Sequence, residues 1–191
     1  MGQVLSRSVV IIILLITFSI PRAYAERNQQ DQLNIVFVNT DRGSFTDTDK
    51  YIEYVTHALE FWGITPALSI STQYHARAYE NFEWIDLYKD ELTLYIVYTN
   101  GAAFVTGTHG AASYELMFAV ITSSSSWPEA IIAHEFGHLM FGLPDLYHDN
   151  PCNVTDIMCN PVQAYRMGMI GCQSLATLGK PCMFVSLPLI H

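Results

Sequence analysis

Charge is scarce in this 191-residue chain, and basic charge is scarcest: 9 Lys and Arg stand against 18 Asp and Glu, and charged residues make up only 14% of the total. Nucleic acid is therefore not an expected partner. Half of the residues are hydrophobic, which excludes a solvated disordered chain. Yet no apolar run approaches the ~20 residues of a membrane-spanning helix. Cysteine is missing from the first 151 residues; Cys152, Cys159, Cys172 and Cys182 fall close together near the other end, with no CxxC pair among them. That spacing argues against a cysteine metal cluster and for two disulfides, with the pairing left open. No internal repeat is visible, and the length suits one domain with a real core.

The longest apolar run, residues 9–20, follows Arg7 and precedes Ala23-Tyr24-Ala25. This is the pattern of a signal peptide cleaved after Ala25, leaving residues 26–191 as a single secreted domain. Disulfide formation fits that compartment. Asn153-Val154-Thr155 is a glycosylation sequon there, consistent with a surface loop at Asn153.

Residues 33–39 (LNIVFVN) read as a buried strand. Tyr51, Ile52, Val55, Ala58, Leu59 and Trp62 recur at helical spacing, so an amphipathic helix is expected over residues 46–62, stopped by Gly63. Residues 65–71, 92–99 and 115–122 read as further strands. The Gly-rich stretch between the last two, Ala102, Ala103, Phe104, Val105, Thr106 and Gly107, reads as an edge strand able to bind an extended polypeptide. Ser126 and Glu129 suggest a capping box opening a second long helix through His138. A short helix is expected somewhere between residues 162 and 177. The order implies an α+β fold with a mixed sheet.

The second helix carries His134-Glu135-Phe136-Gly137-His138, an HExxH pattern. Residues four apart differ by only ~40° around a helix, so both imidazoles face one way and can grip one ion. Zinc suits two neutral imidazole nitrogens, and Glu135 lies beside them to handle a proton. A catalytic zinc needs a third protein ligand and one open position. No glutamate follows Glu135, so the downstream candidates are Asp145, His148, Asp149, Asp156 and His191. Gly142 permits a sharp turn that favours Asp145. His57, His75 and His109 lack ligand-spaced partners and read as packing or surface residues.

The run HEFGHLMFGLPDLY, residues 134–147, resembles the zinc-binding consensus of metzincin peptidases, particularly snapalysins and immune-inhibitor-A-type peptidases. Pro151-Cys152 followed by Asp156-Ile157-Met158 resembles the snapalysin approach to the methionine turn. The resemblance implies a zincin-like fold: a twisted mixed sheet with an edge strand, two long helices, one bearing HExxH, and a Met-turn at Met158. It implies one catalytic zinc on His134, His138 and Asp145, with Tyr147 assisting the oxyanion; nothing indicates a structural calcium. Gly142 and Asp145 stand four and seven residues after His138, each one position later than in the family. Either the helix runs longer or a bulge absorbs the extra residue, and His148 or Asp149 stands as the alternative ligand. The expected function is a secreted, monomeric zinc endopeptidase acting on polypeptides, free of the membrane once cleaved. Two alternatives remain open, a non-catalytic secreted binding module on a zinc scaffold and a zinc hydrolase of non-peptide amides.

Overall fold

The computed structural model describes residues 32–85, 91–123, 126–146 and 155–179, all within one compact unit that begins at Gln32. Among them are five strands, β1 (Gln32–Asn39), β2 (Ala67–Tyr74), β3 (Thr93–Val97), β4 (Gly110–Ser113) and β5 (Phe118–Thr122). The helices are α1 (Asp49–Trp62), α2 (Pro128–Phe141), α3 (Pro161–Arg166) and α4 (Cys172–Thr177). The architecture is α+β, and no described helix is long and apolar enough to cross a membrane.

The sheet has the order β2-β1-β3-β5-β4; every pairing is parallel except β4 with β5. Alternation sets the two faces. Leu33, Ile35 and Phe37 of β1, with Leu94 and Ile96 of β3, point into a core shared with Val55, Leu59 and Trp62 of α1 and Ile132, Phe136 and Leu139 of α2. Val36, Val38, Tyr95, Val97 and Val120 face the other way, against Ala78, Tyr79, Ile85 and Phe104. Covered on both sides, β3 is buried at all five positions, as a central parallel strand should be. Trp62 Nε1 donates to Ala133 O at 2.7 Å and ties α1 to α2.

Three expectations need correction. Residues 102–107 form no strand: Asn100, Gly101 and Gly107 all have positive φ, and Phe104 N and Gly107 N bond locally to Thr108 O and Phe104 O. Ala102, Ala103, Phe104, Val105, Thr106 and Gly107 thus form a compact loop, and the edge strand is β4, starting at Gly110. The capping box does not form, because Pro128 takes the first helical position and makes Trp127 the cap. Glu129 instead meets His57 Nδ1 on α1 at 3.1 Å. Between residues 162 and 177 there are two short helices, α3 and α4, separated by Gly168 and Gly171, both with positive φ.

Candidate metal centre

Helix α2 is apolar on nearly every side, with His134, Glu135, Phe136 and Gly137 all buried. A helix enclosed in this way places its polar residues against protein rather than water. His134 Nδ1 lies 2.9 Å from Ile157 O, and His138 Nδ1 contacts Leu143 O. A carbonyl can only accept, so both Nδ1 atoms carry hydrogens and neutral rings present bare lone pairs at Nε2. Those two Nε2 atoms are 3.2 Å apart, and Asp145 Oδ1 lies 3.1 Å from each. Three acceptor atoms thus converge on one point, which a proton or a cation must reconcile.

The spacing fits a metal ion. A four-coordinate zinc with ligands at about 2.0–2.1 Å holds neighbouring donors roughly 3.3 Å apart, close to the separations here. The two carbonyls are the outer partners that fix tautomer and ring orientation in histidine metal sites. Among the described residues no other three His, Cys, Asp or Glu side chains gather this tightly. Burial works against charging His134, but Asp145, Glu135 and the Ile157 carbonyl outweigh it and hold its pKa above the ordinary value. Such a site competes for protons as well as for metal.

The chain turns toward Asp145 where α2 ends, through a wider cap than the one that closes α1. Helix α1 closes conventionally: Gly63 N bonds back three residues to Glu60 O, and Ile64 N five residues to Leu59 O. In α2, Gly142 N reaches back four residues to His138 O, and Leu143 N six to Gly137 O. Each bond spans one residue more. Gly142 accommodates the wider turn at φ 60°, leaving Leu143 O against His138 and Asp145 beneath both rings.

Glu135 sits beside the donors. Burial pushes its carboxyl up to about 7, opposed by the two histidines, and Oε2 is buried without a hydrogen-bond partner. Gly110, the first residue of β4, packs directly against Glu135, so a Cβ there would collide with Oε1 and Cδ. The edge strand and the helix meet at this carboxyl.

The segment holding Met158 meets α2 through the Ile157 carbonyl at His134. Asp156, fully buried, accepts from Met158 N at 3.1 Å, Ser174 N at 3.0 Å and Ser174 Oγ at 2.5 Å. It is no metal ligand here but a knot joining this segment to α4. By fixing Met158 N it also fixes the neighbouring Ile157 carbonyl that orients His134. Met158 is fully buried, and its sulfur occupies the space that a Cβ on Gly137 would need.

Sequence reasoning brought His134, Glu135, His138, Asp145 and Met158 to this region. It missed Gly110, the Leu143 and Ile157 carbonyls, and the structural part played by Asp156. Nothing in the sequence marked Asp156 as buried or Gly110 as touching Glu135. Tyr147, His148, Asp149, Cys152, Asn153, Cys182 and His191 lie outside the described residues. Cys159 and Cys172 are both disulfide-bonded. Comparison with protein-family models, curated proteins and solved structures finds no match to this chain.

Proposed function

We propose that this chain is a secreted zinc endopeptidase of metzincin type, in which His134, His138 and Asp145 hold the ion and Glu135 is the general base. One observation carries the reading: three converging acceptors lie beside a buried carboxylate oxygen that no protein group satisfies. A structural zinc site fills its fourth position with a protein ligand and has no use for such a neighbour. This favours an enzyme over a binding module.

Zinc bound there supplies a Lewis acid that polarises a carbonyl and makes water nucleophilic at neutral pH. Glu135 takes a proton from the attacking water at Oε2 and later returns one to the leaving amine. Strand β4, half-buried at each position, lies alongside Glu135 and presents the outer edge of the sheet. An extended polypeptide adds there by main-chain hydrogen bonds, which favours peptides over small amides. Tyr147 is assigned to assist the oxyanion, and Asp145 is preferred over His148 or Asp149 as the third ligand because its carboxylate meets both Nε2 atoms.

The test is casein hydrolysis with and without chelator, alongside a zinc assay. The wild-type chain should cleave and lose activity to chelator. Glu135→Gln should keep one zinc and lose cleavage; near-full activity in that variant would remove Glu135 from the mechanism.

A further inference from the structure

The two edges of the sheet differ in chemistry. While β4 is half-buried against α2, β2 at the opposite end has Ala67, Ile70, Ser71, Thr72 and Tyr74 exposed. Ile70 is 50% and Tyr74 64% exposed, so two large hydrophobic side chains stand on one open edge. Its eight residues, ALSISTQY, contain no charge and no proline. A long, neutral, open edge is what folded proteins normally avoid, because its main chain is a template for another strand.

The hydrogen-bond pattern says which groups are offered. On β1, Asn34 N bonds to Leu92 O and Val38 O accepts from Tyr98 N, so even-numbered residues turn toward β3. Asn39 O accepts from His75 N, so odd-numbered residues face β2, and odd residues of β2 answer them. The N–H and C=O groups of Leu68, Ile70, Thr72 and Tyr74 therefore point outward, with no backbone partner among the described residues.

We propose that, in place of the monomer expected from the sequence, two copies of this chain associate through β2, the strands running antiparallel about a two-fold axis at Thr72. In that register Thr72 faces Thr72 of the second copy, and Ile70 faces its Tyr74. All are outward-bonding residues, so the pairs exchange N–H···O bonds. An aromatic side chain opposite a β-branched one, and threonine opposite threonine, are favourable cross-strand pairs. On the other face Ser71 meets Gln73, a polar match. Centring the axis on Ile70 would instead oppose Tyr74 to Pro66, which has no N–H to give. The partner is a second copy because the strand is complementary to itself and neutral: two chains with twice as many acids as bases can meet here without opposing like charges. A two-fold contact closes at two copies. The dimer leaves both β4 edges, and the metal centres beside them, at its outer ends.

Sedimentation equilibrium of the purified chain, up to about 100 µM, tests this. A monomer–dimer equilibrium is expected. Thr72→Lys, which opposes two ammonium groups at the axis, should weaken it about tenfold or more. Leu116→Lys, the same charge at an exposed site away from β2, should leave it unchanged. Only monomer throughout, species larger than two copies, a dimer unmoved by Thr72→Lys, or equal weakening by both variants would each overturn the proposal. Circular dichroism and zinc content of Thr72→Lys should match wild type, which separates a lost interface from a lost fold.

Discussion

Two carboxyl groups in this molecule are almost equally hidden and are treated in opposite ways. Asp156 is enclosed and fully answered, with two backbone N–H groups and a hydroxyl on its two oxygens. Glu135 is enclosed and left wanting, with Oε2 unpartnered and its pKa raised to about 7. A satisfied buried acid serves the fold; an unsatisfied one is tolerated where the chemistry needs it. Asp156 bears on His134 indirectly, through the Ile157 carbonyl, whereas Glu135 lies beside the converging His134, His138 and Asp145 atoms.

The comparison can be broken by exchanging amide for acid at each position. Glu135→Gln should lower peptide hydrolysis about a thousandfold, within the usual range of general acid–base catalysis, while the melting temperature holds or rises. Asp156→Asn should do the reverse to stability: one acceptor becomes a donor facing N–H groups, and unfolding in urea should show a loss of about 3 kcal/mol. If Asp156→Asn were as stable as wild type, the distinction between the two acids would fail. Smaller changes sharpen it. Gly137→Ala pushes a methyl into Met158 and within 3.2 Å of Trp62, and should cost roughly 2 kcal/mol in the same urea titration. Gly110→Ala displaces the Glu135 carboxyl, so kcat should fall about tenfold with zinc content unchanged.

The last prediction concerns pH. In the metal-free protein the folded state holds the Glu135 proton up to about pH 7, whereas the unfolded chain releases it near 4.5. Over that window the folded state binds more protons, so stability must fall as pH rises. Thermal melts of Glu135→Gln should lack this component of the slope.

Much of this was legible in the sequence because it is local. The apolar run in residues 33–39, the helical spacing around Tyr51 to Trp62 and the His134 to His138 interval each encode geometry within one element, and each formed where expected. Asp145 was reachable because Gly142 marks a left-handed turn. What stayed hidden depends on contacts across the chain. No residue type announces that the carbonyls of Ile157 and Leu143 hold the rings, since every residue has a carbonyl. Gly110 matters only because Glu135, 25 positions later in the sequence, comes to rest on it. Residues 102–107 misled for a physical reason: their Ala, Val and Phe suit a strand, but glycines in left-handed conformation on both sides turn the chain back on itself.

Zinc K-edge absorption on the purified, zinc-loaded chain tests the proposed metal centre most directly. Two imidazole ligands with the remaining ligands oxygen at about 2.0 Å are expected, with the imidazole count unchanged but zinc affinity reduced in Asp145→Ala. A sulfur shell near 2.3 Å, or a single imidazole in the wild-type spectrum, would contradict it.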